Sequence, residues 1–148
     1  MLLSLVVSVL FNLSNPALHN NYQDALEMAK NENKHILMIF SGSDWCRPCI
    51  RLKTSILDNK KFQDWANDKL ILMYVDFPAQ KKNKLPNYIA LQNDKLARKF
   101  NRSGLFPQLV LIDGNENLIC RIEYKDQSLE QFISDCKMHT NSGLALTD

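Results

Sequence analysis

Two cysteines separated by two residues, Cys46 and Cys49, lie in the stretch Ser43-Asp44-Trp45-Cys46-Arg47-Pro48-Cys49, directly after the apolar run Ile36-Leu37-Met38-Ile39-Phe40. Sulfurs at this spacing can close a small disulfide ring. A continuous apolar run reads as a strand covered on both faces, and Pro48 is tolerated in the first turn of a helix. The first sulfur then falls at a helix N-terminus. There, unpaired backbone N–H groups and the positive end of the helix dipole stabilise a thiolate. The thiolate is the nucleophile of disulfide exchange, so this arrangement supplies an attacking sulfur, Cys46, and a resolving one, Cys49.

The elements that must hold these sulfurs follow from periodicity. Tyr22, Ala25, Leu26 and Ala29 share one face and predict a helix over 22–33. A strand over 36–40 comes next, and Gly42 and Ser43 turn the chain into a helix over 46–57 with Cys49, Leu52 and Ile56 inward. A short helix over 61–67 carries Phe62, Trp65 and Ala66, and a strand over 70–77 ends at Pro78. A helix over 89–100 turns Ile89, Leu96, Ala97 and Phe100 inward. Strands over 109–113 and 118–124 flank Asp113-Gly114-Asn115, a hairpin signal, and a helix over 128–137 closes the fold. This order predicts an α/β fold with a mixed sheet of four to five strands and helices on both faces. At 148 residues the chain fits one domain with a real core.

A CxxC set beside a βαβ pattern resembles the redox site of the thioredoxin superfamily. More narrowly, the chain is similar to exported bacterial thioredoxin-related thiol–disulfide oxidoreductases with a Gly-Ser-Asp-Trp-Cys-x-Pro-Cys site. The resemblance rests on Trp45 before Cys46, Pro48 before Cys49, and the Phe106-Pro107 step ahead of Leu109-Val110-Leu111-Ile112. It implies a thioredoxin-like domain over 20–138, with Cys46 and Cys49 as a catalytic, redox-active disulfide. Trp45, Arg47, Pro48, Phe106 and Pro107 would shape the site or meet the substrate, with Pro107 following a cis bond. The implied substrates are protein disulfides, and a further thiol–disulfide protein would restore the dithiol. A monomer needing no metal or organic cofactor would suffice. Three departures bear on the direction of electron flow. Arg47 stands where thioredoxins usually have Gly, Gln108 where they have Thr, and apolar Ile39 and Phe40 where they carry a buried Asp.

Apolar residues make up 45% of the chain and charged ones 23%, ordinary for a globular protein, and a net charge of +2 gives no case for a nucleic-acid partner. Lys81, Lys82 and Lys84 read as a solvated loop rather than a docking site. Leu2 to Leu13 is apolar apart from Ser4, Ser8 and Asn12, the length of a signal-peptide core and too short to span a bilayer. Residues 1–19 therefore read as a leader, with a short first strand as the alternative. Export to a periplasm is expected, with a cytoplasmic location as the alternative. Residues 139–148 read as a flexible tail.

The remaining cysteines read as buried structural thiols. Cys120 lies on the Leu118, Ile122 and Tyr124 face of its strand, and Cys136 joins the Leu129, Phe132 and Ile133 stripe. A second disulfide between them is the alternative. Structural zinc wants two close-spaced ligand pairs, which these cysteines and the scattered His19, His35 and His139 do not provide. A Cys–His hydrolase would need one sulfur and a placed base. A redox-inert adaptor on the same fold is the other reading, against which both sulfurs, Trp45, Pro48 and Pro107 argue. Asp44 is expected to cap the helix that starts at Cys46. Arg47 adds positive charge beside Cys46, which would lower its pKa and make the dithiol more oxidising.

Overall fold

A computed structural model describes residues 17–142. The chain runs β1 (Leu18–His19), α1 (Tyr22–Glu32), β2 (His35–Ser41), α2 (Arg47–Leu52), a π-helical turn (Lys53–Leu57), α3 (Lys60–Lys69), β3 (Leu70–Asp76) and a 3-10 turn (Lys81–Asn83). It continues with α4 (Asn87–Phe100), β4 (Gln108–Ile112), β5 (Leu118–Ile122) and α5 (Leu129–Ser142). The five strands form one sheet in the order β1-β3-β2-β4-β5. β2 lies parallel to β3, with Ile39 opposite Tyr74, and antiparallel to β4, with Phe40 opposite Gln108. β1 joins β3 in parallel and β5 joins β4 antiparallel. The sheet is mixed, as expected.

Alternation along the strands divides the core in two. Leu37 and Ile39 of β2 turn to the face covered by α2, α3 and α5, where Leu52, Ile56, Phe62, Phe132 and Cys136 are buried. Ile36, Met38 and Phe40 turn to the other face, under Ala25, Leu26 and Ala29 of α1 and Leu96 and Phe100 of α4. β2 is thus covered on both sides. The residues that follow it are anchored by a strand buried from Ile36 to Ser41.

Three boundaries differ from expectation. Leu18 and His19, placed in the leader by sequence, form an edge strand in register with Leu72 and Met73, and Leu18 packs on the core. The folded unit therefore begins before residue 20. The remainder of the leader and its alternative first strand lie outside the described residues. Residues 139–142, placed in the tail, continue α5, because Cys136 and Thr140 lie one turn apart on a buried stripe. The helix expected over 46–57 changes pitch at Lys53. Thr54 Oγ1 donates back to Ile50 O at 3.0 Å, and such hydroxyls compete with the regular helical ladder.

Candidate functional site

β2 delivers the chain to Gly42, and the residue type there is dictated by its neighbour. A Cβ on Gly42 would lie 2.2 Å from Cε2 of Trp45, so only glycine lets the indole fold back over the turn. Cys46 N–H donates to Gly42 O at 2.9 Å, closing that turn. Ser43 is held from the next strand: its N–H and Oγ–H donate to the Asp76 carboxylate at 2.9 and 2.6 Å. Asn93, a buried amide on α4, donates to Asp76 O at 2.9 Å. The end of β3 therefore braces the turn that carries the sulfurs.

Cys46 is the residue that caps α2. Its backbone is still extended, and its sulfur accepts the N–H of Cys49 at 3.3 Å, with Pro48 in the first turn. Cys46 and Cys49 are joined as a disulfide, their Cα atoms 5.2 Å apart, and both are buried. In the reduced pair, the Cys49 N–H and the positive end of the α2 dipole are placed to stabilise a thiolate at Cys46. The capping role expected of Asp44 is therefore corrected. Its carboxylate turns away from the helix to accept the N–H groups of Ala79 and Gln80 at 2.8 and 2.9 Å and the side-chain amide of Asn83 at 2.9 Å. The Ala79 bond, followed by that from Asn83, holds the Asp44 carboxyl below its usual range. It serves as a clasp on the loop that follows β3.

Around the dithiol the surface is apolar. Trp45 is half exposed, donates Nε1–H to Phe77 O at 2.8 Å, and meets Phe106 edge to face at 5.4 Å. Phe106 in turn meets Phe77 at 5.5 Å. The Phe106–Pro107 bond is cis, as the resemblance implied. The segment before it is shaped by Gly104 at φ 64° and by Asn101, whose amide donates to Leu105 O at 2.9 Å. Leu105 is left exposed. Arg47 points outward at the start of α2, while Ile39 and Phe40 are fully buried among apolar side chains. A surface cavity of about 550 Å3 lies at the opposite end of the sheet among Lys30, His35, Asp113 and Thr140. The dithiol is bordered by the apolar surface of Trp45, Phe106 and Phe77. Such a surface suits a folded or extended protein better than a small metabolite.

The other two cysteines are free and share one core cluster. Cys136 is fully buried, and burial pushes its thiol up to about 12. Cys120 is only partly covered, because β5 is an edge strand, and burial raises its thiol as well. Of the residues the sequence singles out, the structure joins Cys46 to Cys49, sets Trp45 against Phe106 and places the cis bond at Phe106–Pro107. Sequence reasoning missed Phe77, Asp76 and Asn93. The only sequence signal for them was an acid closing an otherwise apolar strand and an amide on the inner face of α4.

A disulfide at the N-terminus of the helix that leaves the central strand, with a cis-proline loop alongside, defines a thiol–disulfide oxidoreductase of the thioredoxin fold. The chain belongs to the thioredoxin-like domain family, whose model matches residues 22–133. It is 33% identical over 117 residues to the disulfide bond reductase DsbH of Chlamydia pneumoniae, a match covering 79% of this chain and 69% of that protein. It is also 33% identical over 104 residues to the thioredoxin-related protein DsbJ of Chlamydia pneumoniae, covering 70% of this chain but 29% of the relative. The solved DsbH oxidoreductase superposes with a TM-score of 0.78 at 30% identity, covering 86% of each chain. A thioredoxin from Thermus thermophilus shares the fold at a TM-score of 0.57 and 16% identity, covering 79% of this chain and 82% of its own.

Proposed function

We propose that this oxidoreductase works as a reductase of disulfides in client proteins, with Cys46 as the attacking sulfur. The observation that supports this most is the placement of the Cys46 sulfur as the cap of α2, on the Cys49 N–H, beside the Trp45–Phe106 surface. In the reduced protein the Cys46 thiolate attacks one sulfur of a client disulfide. A mixed disulfide forms, and the other client sulfur leaves as a thiolate that takes up a proton. Cys49 then loses its proton and attacks the Cys46 sulfur. The second client sulfur departs, the Cys46–Cys49 disulfide closes, and the client has gained two electrons and two protons. A thiol–disulfide partner protein returns the two electrons to the pair. Trp45, Phe106 and Pro107 offer the client backbone an apolar seat, and Arg47 and Pro48 border it.

The name of the DsbH relative, a disulfide bond reductase, supports the reductive direction. The apolar segment ahead of β1 supports export, with the oxidoreductase acting as a monomer in a periplasm-like space. No helix among the described residues is long and apolar enough to cross a membrane. The test is reduction of insulin disulfides with dithiothreitol as electron source. Wild type is expected to accelerate the reaction and Cys46→Ser to abolish the acceleration. Equal rates for the two proteins would refute the reading.

A further inference from the structure

The sequence treats Lys81, Lys82 and Lys84 as a solvated loop, yet the fold does not leave that loop free. Asp44, two residues before Cys46, clasps it through Ala79, Gln80 and Asn83, and Gln80 adds a bond from its side-chain amide to Asp44 O at 3.3 Å. Its start is fixed by the Trp45 bond to Phe77 O, and its 3-10 turn by Asn83 N–H to Gln80 O at 2.9 Å. The three lysines are exposed, and among the described residues none of them is in an ion pair. Three like charges within four residues repel one another. The clasp therefore keeps three unpaired cations together at the edge of the dithiol surface, where they present a positive face to a group of opposite charge. Arg47, exposed and next to Cys46 in the chain, adds a further positive charge. The nearby acids do not cancel it by pairing: Asp44 and Asp76 are turned to N–H and O–H donors. Between the loop and α4 lies a cavity of about 310 Å3 lined by Phe77, Pro78, Lys81, Lys84, Leu85 and Asp94. It offers an apolar floor under a cationic rim, with Asp94 as the one unclasped acid.

We propose that this loop is a client-docking rim that favours protein disulfides flanked by acidic residues. The inference rests on the reductase reading above and narrows its substrate class. Exposed charges act chiefly on encounter rate and partner choice, and their influence falls with ionic strength. Two peptides with the same disulfide, one flanked by Glu and one by Lys, provide the test. Rates of reduction by the pre-reduced protein are compared at about 10 mM and about 150 mM ionic strength, where the screening length falls from about 30 Å to about 8 Å. Each rate is referred to that of neutral hydroxyethyl disulfide in the same protein. Wild type is expected to favour the acidic peptide about tenfold at low salt, within the range of electrostatic steering, and much less at high salt. The triple variant Lys81→Gln, Lys82→Gln, Lys84→Gln is expected to lose most of that preference. Wild type that reduces both peptides equally, or a triple variant that keeps the preference, overturns the docking rim and leaves the reductase reading standing. Failure to reduce either peptide or the neutral disulfide overturns both. Binding to phosphatidylglycerol vesicles that the triple variant abolishes, without any peptide preference, would assign the loop to a lipid surface and overturn the proposal.

Discussion

Replacing Gly42 with alanine puts a methyl group where the Trp45 indole now lies. The Cβ would stand 2.2, 2.5 and 2.6 Å from Cε2, Cζ2 and Nε1. These atoms belong to the rigid ring rather than to a flexible chain end, so the whole indole must move. Two interactions go with it: the Nε1–H bond to Phe77 O and the edge-to-face contact with Phe106. An aromatic pair contributes about 0.5–1.5 kcal/mol beyond its burial, and a hydrogen bond about 0.5–1.5 kcal/mol net. Gly42→Ala is therefore expected to lower unfolding free energy by about 1–3 kcal/mol in urea titrations of the oxidised protein. It should also lower kcat/KM for a protein disulfide more than for hydroxyethyl disulfide, because the displaced ring forms one wall of the client surface. Unchanged stability together with unchanged client kinetics would refute the reasoning that Gly42 exists to seat Trp45.

Other consequences follow from single side chains. Arg47→Gly removes a positive charge beside Cys46, so the Cys46–Cys49 potential in glutathione buffers is expected to move tens of millivolts more negative, where 30 mV corresponds to about 1.4 kcal/mol; an unchanged or less negative value would leave Arg47 without a redox role. Asp44 has its folded pKa held down by its loop partners, so its stabilisation is present at neutral pH and lost as pH falls from about 4 through the folded value. The stability difference between wild type and Asp44→Asn should accordingly be full at pH 7 and shrink below about pH 4, and a pH-independent difference would contradict the clasp. Alkylation of the reduced native protein should modify Cys46 first and the partly covered Cys120 more slowly. Cys136, whose thiol is pushed up to about 12, should react only on unfolding, and its native labelling by mass spectrometry would contradict its burial.

The dithiol was legible in the sequence because its chemistry is local: two sulfurs, a proline and a preceding apolar strand fall within fourteen consecutive residues, 36–49. The sheet was legible for a similar reason, since β2 and β3 are continuous apolar runs whose length and flanks leave few alternatives. Asp44 was misread because its partners lie 35 to 39 positions away, and a local rule for helix caps could not anticipate them. The helix took its cap instead from Cys46, the residue that also carries the chemistry. Asn93 is a polar residue on a helix with no sequence mark of its burial, where its amide donates to the end of β3 and accepts from Gln92. β1 is two residues long, too short to show alternation, and its existence depends on the open edge of β3. The partial exposure of Cys120 likewise follows from strand order, which fixes β5 at the edge. The lysine loop was read as solvent-facing, and only the clasp reveals which part of the surface it borders.

The central claim is that Cys46 attacks and Cys49 resolves, and trapping the mixed disulfide tests it most directly. Reduced Cys49→Ser protein is mixed with a client that carries one disulfide, and the product is analysed by intact mass and peptide mapping. The account predicts a stable adduct of one client per protein, joined through Cys46 and released by dithiothreitol, with no such adduct for Cys46→Ser. An adduct that maps to Cys120 or Cys136, or one that forms on Cys46→Ser through Cys49 at an equal rate, would contradict it.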